Sequence, residues 1–385
     1  MDTVRIGIVG YGGMGSHHGR YLSKGEVPGA ELTAVADVDP ARLEAAQSSF
    51  GEDFPVFDSA EALVAAEVCD AVIIATPHYF HPPIAVQAFQ AGLHVLSEKP
   101  AGVYTKQVRE MNEAAAASGK TFGLMFNQRT RPIYRKVQEL VAAGELGTLR
   151  RTSWLVTSWF RAQSYYDSGG WRATWAGEGG GVLINQCPHN LDLWQWICGM
   201  PSRVRAFCYF GKYHDIEVED DVTAYVEYPN GATGVFVTTT GEAPGTNRLE
   251  ITGDLGKLVV EGGRLDFWRN RVPADQFNRE YEGGFGSPET WKVEVPVRGR
   301  DGGHREVTER WLGAIREGTP MVAPGEEGIK SLQLSNAMLL SAWTDAWVEL
   351  PVDEDLFYEK LQERIGSSTY EKKAEGGTMD VDGTF

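Results

Sequence analysis

The sequence predicts two domains: an α/β domain with a parallel, doubly wound sheet over residues 1–126, and an α+β domain over residues 127–365. Strand and helix patterns alternate up to residue 126, as they do where crossover helices join parallel strands. Alternating strand patterns dominate from residue 149 onward, which is typical of an antiparallel sheet. A chain of 385 residues, 42% of them hydrophobic, is long enough to bury two cores.

The composition excludes several classes of protein. A net charge of -17 argues against a nucleic-acid-binding surface, because phosphate neutralisation needs a basic face. No run of about 18 apolar residues occurs, so no membrane span is expected. The chain begins with a strand pattern instead of an apolar signal region, and its four cysteines lack the CxxC spacing of zinc sites or a disulfide framework. We therefore expect a cytoplasmic protein without a metal site.

The first strand leads into a glycine-rich turn. Val4–Val9 is followed by Gly10-Tyr11-Gly12-Gly13-Met14-Gly15, a G-x-G-x-x-G pattern between a strand and a helix. Such glycines let a backbone approach a pyrophosphate at a helix N-terminus. Asp37 ends the next strand, 22 residues after Gly15, where an acid binds the adenosine ribose. Because an acid repels a 2′-phosphate, NAD is expected over NADP; the alternative is a plain glycine turn and a surface aspartate.

The rest of the first domain continues the alternation. Asp58 is predicted to cap a helix that runs to Ala66, and residues 70–76 to form a buried strand. The loop from Thr76 then leads through Pro77, His78 and His81 into a helix over residues 82–91, followed by a helix over 105–118 and a strand over 121–126. His78 and His81 lack an i,i+4 acidic partner, so no metal is predicted there.

A lysine follows the strand that ends at Ser97. In Ser97-Glu98-Lys99-Pro100, the proline disfavours helix at Lys99, so the lysine is held where the strand ends. Ligands of open α/β sheets bind outside the carboxyl ends of the strands, where a lysine can place a cation beside a cofactor. The alternative is a surface ion pair between Glu98 and Lys99.

The second half consists mainly of strands. The helix over residues 132–143 precedes them, the helices over 305–317 and 326–348 follow them, and Tyr228-Pro229-Asn230-Gly231 is a strong hairpin signal. The predicted strands cover 149–159, 203–210, 221–227, 233–240, 249–252, 257–261 and 291–297. Residues 366–385 are rich in Gly, Ser, Lys and Glu, which predicts a flexible tail or an arm that is ordered only by a partner.

A glycine triplet precedes a candidate general base. After Gly179-Gly180-Gly181, a helix would bring Asn185, His189 and Asp192 to one face at i, i+4 and i+7, with Pro188 kinking the first turn or lying within it. Histidine is suited to moving a proton near neutral pH. The alternative is a buried histidine with a satisfied hydrogen bond.

Aromatic residues cluster before this histidine. Aromatic faces pack on the C–H groups of sugar rings, while Arg161, Arg172 and Asn185 can bind hydroxyls, which suggests a polyol-like ring as substrate. The aromatic residues are Trp154, Trp159, Tyr165, Tyr166, Trp171 and Trp175. We expect core packing for about half of the tryptophans.

Taken together, these motifs resemble the glucose–fructose oxidoreductase / inositol dehydrogenase / rhizopine catabolism (Gfo/Idh/MocA) family of NAD(P)-dependent sugar oxidoreductases, over roughly residues 4 to 362. The matching motifs, in order, are the fingerprint at Gly10–Gly15, Ala75-Thr76-Pro77 with His81, Ala91-Gly92 before Glu98-Lys99-Pro100, and the glycine triplet before His189 and Asp192. The resemblance implies a Rossmann domain followed by a large open-faced antiparallel sheet, which would form homodimers or homotetramers.

The resemblance also implies roles for individual residues. Lys99 would bind the reacting hydroxyl, and His189 would take its proton. Trp171, Arg172, Arg161 and Asn185 would bind the substrate. The residues expected to bind the cofactor are Gly10, Gly12, Gly13, Met14, Gly15, Asp37, Thr76, Pro77, His81, Glu98, Lys99 and Asn127.

Two positions depart from the family pattern. Asn185 stands where the family usually has Asp, and His78 where it usually has Asn; an asparagine cannot supply the negative charge of an acid, although it can bind a hydroxyl. The expected activity is oxidation of a secondary ring hydroxyl, such as C3 of a glucoside. The alternatives are a glycosidase that retains NAD and acts by transient oxidation and elimination, and a non-catalytic sensor of NAD and sugar.

Overall fold

The structure, a computed structural model, describes residues 3–372. Its first sheet has six parallel strands in the order β3-β2-β1-β4-β5-β6. The strands are β1 (Val4–Val9), β2 (Ala30–Ala36), β3 (Val56–Phe57), β4 (Ala71–Ile74), β5 (His94–Ser97) and β6 (Phe122–Leu124). The order reverses between β1 and β4, and the crevice above such a switch point is where α/β sheets bind ligands.

Helices join these strands and continue through the chain. They are α1 (Gly13–Ser23), α2 (Pro40–Phe50), α3 (Ala60–Ala65), α4 (His81–Gln90), α5 (Thr105–Ser118), α6 (Pro132–Ala142), α7 (Gln163–Asp167), α8 (Pro188–Cys198), α9 (Ala274–Glu280), α10 (Gly303–Glu317), α11 (Gly328–Thr344) and α12 (Glu354–Ser367). Short 3-10 turns occupy His78–Phe80, Asn127–Thr130 and Gly325–Glu327.

The second sheet has nine strands in the order β14-β13-β12-β11-β7-β10-β9-β8-β15. They are β7 (Leu149–Val156), β8 (Arg203–Phe210), β9 (Glu219–Glu227), β10 (Thr233–Thr239), β11 (Asn247–Gly253), β12 (Gly256–Glu261), β13 (Arg264–Asn270), β14 (Thr290–Val293) and β15 (Val348–Glu349). All neighbours are antiparallel except β7 and β10, which are parallel. The sheet is therefore mixed and mostly antiparallel.

Within residues 3–372, helices cover one face of the second sheet and leave the other face open. Trp194 of α8 stacks on Phe236 of β10 with ring centroids 5.4 Å apart, and all of residues 334–341 in α11 are buried. In β8, residues 204 and 206 point inward while Phe207 and Tyr209 on the opposite side are 53% exposed, since side chains alternate along a strand.

Helix α10 packs against the first sheet although it follows the second sheet in the sequence. Its Val307, Trp311 and Leu312 belong to the same buried cluster as Ile6 and Ile73. An added Cβ at Gly123 of β6 would lie 3.1 Å from the Trp311 ring. The core of the first domain is thus completed by residues near position 310.

Several predicted elements have different bounds. The helix predicted from Asp58 is instead capped by Ser59, whose hydroxyl accepts a hydrogen bond from the Ala62 N–H at 3.3 Å. The predicted helix 326–348 ends at Thr344, because Asp345 adopts a left-handed conformation with φ 50°. Strand β13 and the short strands β3 and β15 were not predicted. Of the tail predicted from residue 366, residues 366–372 are described, and 373–385 lie outside the described residues.

Candidate active site

The glycine-rich turn lies at the switch point of the first sheet. Gly10 has φ 90°, and a Cβ there would lie 2.7 Å from the Ala75 carbonyl oxygen. A Cβ at Gly15 would lie 1.9 Å from the Gly10 carbonyl oxygen, so both positions require glycine. At Gly12, by contrast, no atom of residues 3–372 lies within 4 Å of an added Cβ. Helix α1 begins at Gly13, with Met14 half-buried in its first turn, so its N-terminus faces open space that suits a pyrophosphate.

Asp37 follows β2 and contacts this turn directly. Its Oδ2 accepts a hydrogen bond from the Tyr11 N–H at 2.6 Å, and its Oδ1 accepts one from the Asp39 N–H at 2.9 Å. The carboxylate is therefore held at the end of β2 next to the glycine turn, as a ribose-binding acid requires.

The loop after β4 supplies further polar groups. The ring nitrogens of His81 face the carbonyl oxygens of Pro100, at 2.8 Å, and of Thr76, at 2.6 Å, so this buried histidine ties the loop containing Pro77 to the end of β5. The side-chain oxygens of Thr76 and Asn127 are buried and have no hydrogen-bond partner within the described part of the chain. Since buried polar groups are normally paired, these two fit a site that a polar ligand such as NAD completes.

Glu98 is buried at the end of β5 and pairs with a histidine from α1. Its Oε1 lies 2.7 Å from Nε2 of His18, whose Nδ1 lies 2.6 Å from the Tyr21 hydroxyl. That hydroxyl lies 2.8 Å from Oγ1 of Thr308, which donates to the His304 carbonyl oxygen. With Thr308 donating, Tyr21 donates to Thr308, and Nδ1 of His18 donates to the Tyr21 hydroxyl. Burial opposes ionisation of Glu98, but the His18 hydrogen bond and nearby positive charges lower its pKa to about 2.

Lys99 reaches from the first domain to the second. Its Nζ donates to the Asn185 carbonyl oxygen at 3.1 Å, and the Lys99–Pro100 peptide bond is cis. Burial lowers the pKa of Lys99 below its usual value; Glu98 and Glu178 oppose this shift, and Arg172 adds to it. The ammonium group therefore lies between carboxylates and guanidinium groups, partly withdrawn from water.

His189 lies in the first turn of α8, directly after Pro188, which occupies the first turn without ending the helix. The imidazole is 8% exposed, its ring centroid lies 6.0 Å from that of Phe126, and its Nδ1 has no partner among residues 3–372. Burial, and then the charge of Lys99, lower the pKa of His189 well below its usual value. The histidine is therefore a neutral imidazole near neutral pH, electrostatically coupled to Lys99.

Asn185 lies in the turn before α8 and not on its face, because the helix begins only at Pro188. The predicted i, i+4, i+7 arrangement with His189 and Asp192 is therefore wrong. The Asn185 N–H donates to the Gly181 carbonyl oxygen at 3.0 Å, and its side-chain amide donates to the carboxylate of Glu178.

Hydrogen bonds connect Asn185 to Arg172, one of the predicted substrate residues. The Tyr165 hydroxyl donates to Asn185 Oδ1 at 3.3 Å and accepts from Arg172 Nη1 at 2.8 Å. The Arg172 guanidinium lies over the rings of Tyr165 and Trp171, each 4.7 Å away. Arg161 lies 5.2 Å over the same Tyr165 ring. The structure thus brings the four predicted substrate residues to one region beside Lys99.

The aromatic cluster is divided between core and site. Trp154 and Trp175 are fully buried, as expected for about half of the tryptophans. Trp159 and Trp171 are half-buried, and Trp171 contacts His78 edge to face at 5.4 Å. Trp171 and Tyr165 therefore remain as partly exposed aromatic surfaces beside Arg172.

Asp192 has a structural role. Its carboxylate receives two hydrogen bonds from Arg129, at 2.8 and 2.7 Å, and the third guanidinium nitrogen of Arg129 lies 2.5 Å from Glu327. Arg129 and Asp192 are 2% and 1% exposed. This buried triad joins the turn after β6 to α8 and to the turn before α11.

Glu178, His18 and Arg129 were not predicted as site residues. Glu178 directly precedes the glycine triplet, and this position in the sequence could have indicated that its carboxylate lies in the site. The pairs His18–Glu98 and Arg129–Asp192 join residues far apart in the chain, and no local spacing indicates them.

The comparisons with known proteins agree with this architecture. Residues 4–126 match the model of an oxidoreductase family with an NAD-binding Rossmann fold, and residues 134–259 match that of the GFO/IDH/MocA C-terminal domain. The chain belongs to the Gfo/Idh/MocA oxidoreductase family. The resemblance on which the site residues were assigned is therefore confirmed, together with the predicted fold class.

Two relatives in the family have named activities. D-glucoside 3-dehydrogenase of Escherichia coli is 26% identical over 369 residues, 91% of this chain and 98% of that protein. Inositol 2-dehydrogenase of Corynebacterium glutamicum is 31% identical over 206 residues, which covers 52% of this chain and 56% of that protein. The chain thus spans about half of the latter enzyme and nearly all of the former.

Among solved structures of this family, the WlbA dehydrogenase from Chromobacterium violaceum, in complex with NADH and UDP-GlcNAcA, superposes with a TM-score of 0.78. It is 29% identical, and the match covers 92% of this Gfo/Idh/MocA chain and 97% of that one. Within residues 3–372, no helix is long and apolar enough to cross a membrane, and no group of His, Cys, Asp and Glu side chains could hold a metal ion.

Proposed function

We propose that this protein oxidises a secondary ring hydroxyl of a sugar, glycoside or inositol with NAD, using Lys99 and His189 as the catalytic pair. The proposal rests on one relationship: the Lys99 ammonium, at the end of β5, donates to the backbone of Asn185, four residues before His189, and its charge acts on the imidazole. An ammonium from the first domain and a neutral imidazole from the second therefore face the same space.

The two residues have complementary tasks. The hydrogen-bond donors of Lys99 hold the substrate oxygen and stabilise the negative charge that develops on it. The His189 imidazole accepts the hydroxyl proton, for which its lowered pKa keeps it unprotonated at neutral pH. NAD, when bound, supplies the hydride acceptor.

Two carboxylates keep the lysine charged. Burial alone would favour neutral Lys99, which could not stabilise an alkoxide. Glu98, itself held ionised by His18, and Glu178 both raise the lysine pKa. We therefore assign Glu98 a second task beside cofactor binding, which is to maintain the charge of Lys99.

The substrate is proposed to be a ring with several hydroxyls. Tyr165 and Trp171 offer aromatic surfaces, and the Arg172 and Arg161 guanidinium groups lie over the Tyr165 ring, where they can donate to hydroxyl or carboxylate oxygens. The similarity to D-glucoside 3-dehydrogenase over 98% of that protein supports C3 of a glucoside as the preferred position. Asp37, beside the glycine turn, supports NAD over NADP because a 2′-phosphate would meet a fixed negative charge.

We propose that the uncovered face of the second sheet forms a homodimer or homotetramer. Phe207, Tyr209 and Tyr225 on this face are 53%, 53% and 38% exposed, and a large exposed apolar patch favours a protein interface. The four cysteines are free thiols, which suits the reducing cytoplasm in which we expect the protein to act.

The test is a single-turnover assay with NAD and a panel of glucosides, inositols, hexoses and nucleotide-linked sugars, followed at the NADH absorbance band. A sugar of the true class produces one equivalent of NADH in the first turnover, and multiple turnovers with excess NAD. Lys99→Met should lower the rate by about 100-fold or more, while Lys106→Met, at an exposed lysine of α5, should not change it. Cleavage of glycosides without net NADH would indicate the retained-NAD glycosidase, and binding without reduction a sensor.

A further inference from the structure

After α12, the chain returns to the region of the proposed active site. Helix α12 ends at Ser367, and the segment that follows, residues 368–372, lies against the loop that carries the substrate residues. We call residues 368–372 the C-terminal segment and residues 157–187, between β7 and α8, the site loop. None of the contacts between them is part of either sheet.

Two contacts anchor the C-terminal segment beside the site loop. The Tyr370 hydroxyl donates to the Asp215 carbonyl oxygen at 2.7 Å, and the Ser368 hydroxyl donates to the carboxylate of Glu217. The other oxygen of Glu217 accepts a hydrogen bond from the Trp175 N–H at 2.8 Å. One carboxylate therefore joins the C-terminal segment to the site loop.

A lysine makes the direct connection. Nζ of Lys372 donates to the carbonyl oxygen of Arg172 at 2.7 Å and also to that of Tyr166. Both acceptors belong to the site loop, so one half-buried ammonium group bridges two backbone points at the ends of residues 166–172. A charged donor makes a stronger hydrogen bond than a neutral one, and no regular strand or helix holds residues 168–174 in place.

Two further hydrogen bonds connect the Lys372 contact to the proposed substrate site. Arg172, whose carbonyl oxygen accepts from Lys372, donates through Nη1 to the Tyr165 hydroxyl at 2.8 Å, and that hydroxyl donates to Asn185. Burial raises the pKa of Glu178, and the Lys372 charge is one of the influences that oppose this rise. A change at residue 372 is therefore transmitted to the guanidinium that faces the substrate, without residue 372 being placed at the reacting atoms.

We propose that the C-terminal segment is a clasp on the site loop, and that Lys372 is a positioning residue that fixes the backbone of Arg172 for substrate binding. The effect on substrate binding rests on the function proposed above, whereas the effect on the loop backbone does not. Positioning of this kind changes how well a substrate is held, because a misplaced binding group costs affinity before it affects the reacting groups.

Hydrogen exchange of the protein alone tests the clasp without any substrate. Lys372→Met, and a chain that ends at residue 367, should increase the amide exchange rate of residues 163–175 by about 10-fold or more. Exchange of β1 and β4 should not change. A chain that ends at residue 372 keeps every contact described here and serves as the reference, and Lys360→Met, at a partly exposed lysine of α12, is the matched control.

Kinetics then test the link to substrate. Lys372→Met should raise the KM for the sugar by about 10-fold, with kcat and the Kd for NAD within about 2-fold of the original values, and Lys372→Arg should restore most of the affinity. Unchanged exchange in the site loop, or an equal increase throughout the protein, would overturn the clasp. If exchange rises but no sugar is oxidised, the clasp stands and the proposed function fails.

Discussion

The side-chain amide of Asn185 donates a hydrogen bond to the carboxylate of Glu178, which is 2% exposed. Asn185 stands where the family usually has an aspartate, so the sequence indicates a missing negative charge. The contact places a carboxylate seven residues upstream in the same pocket, within electrostatic reach of Lys99. Glu178 therefore places a carboxylate near the lysine in a pocket where Asn185 itself supplies no charge.

The first prediction concerns that carboxylate. Glu178→Gln keeps the shape of the side chain and removes its charge, so Lys99 loses one of the two carboxylates that favour its protonated form. We expect kcat to fall about 10-fold or more, with the Kd for NAD unchanged.

The same variant tests a pH dependence. Burial raises the pKa of Glu178, and Arg172 opposes the shift. Activity should therefore increase with pH as Glu178 ionises at a pH above 4.5, and this increase should be absent in the Gln variant. If Glu178→Gln keeps the original kcat and the same decrease of activity at acidic pH, Glu178 has no part in the mechanism.

The dependence of activity on pH should show no titration of His189 near the usual pKa of histidine. Burial and the Lys99 charge lower its pKa well below 6.5, so the base is already unprotonated at pH 6.5 and protonation of His189 should not limit the oxidation rate there. His189→Gln should lower kcat by about 100-fold or more, measured by rapid mixing with saturating sugar and NAD. An acidic limb centred at 6.5 in the original protein, lost in His189→Gln, would contradict the buried neutral imidazole.

Asp37 should decide between the two dinucleotides. Asp37→Ala removes the carboxylate beside the glycine turn, so the ratio of Kd for NADP to Kd for NAD should decrease by about 10-fold or more, measured by quenching of tryptophan fluorescence. Asp39→Ala is the control: Asp39 caps α2 by accepting from the Ala41 N–H at 2.9 Å, and its loss should affect stability more than the ratio. If Asp37→Ala leaves the ratio unchanged, Asp37 is not the ribose ligand.

The buried triad should contribute to stability and not to chemistry. Arg129→Met removes the cationic partner of the Asp192 carboxylate, to which the Gln195 amide still donates, in a site that is 1% exposed. We expect a loss of about 3–5 kcal/mol in the free energy of unfolding, measured by urea titration. Arg131→Met removes a more exposed ion pair with Asp301 and should cost less than about 1 kcal/mol. Equal losses in the two variants would show that the triad is no stronger than a surface pair.

The sequence predicted the fold class and the site residues near glycines and strand ends, because these features have local causes. The positive φ of Gly10, and the close approach of Gly15 to its carbonyl oxygen, require glycine whatever the rest of the chain does. Pro188 likewise fixed the start of a helix, although the pattern alone extended that helix back to Asn185.

The features that were missed depend on contacts between distant segments. Whether Asp192 faces a substrate or Arg129 depends on where the turn after β6 lies, and no spacing in the sequence encodes that position. The local sequence around Asp192 is the same whether its side chain faces a substrate or Arg129. The pairing of His18 with Glu98, across 80 positions, and the contact of Lys372 with the site loop, are of the same kind.

The position of α10 has a consequence for how the protein is made. Trp311 is enclosed among strands near the amino terminus. During synthesis, part of the interior of the nucleotide-binding half therefore stays uncovered until residues 231–302, which follow the hairpin at Asn230, and then α10 itself have left the ribosome. A fragment that stops at residue 126 therefore lacks one of the helices that bury its core. To isolate the nucleotide-binding domain, α10 must be supplied as a separate peptide or joined to the fragment by a new linker.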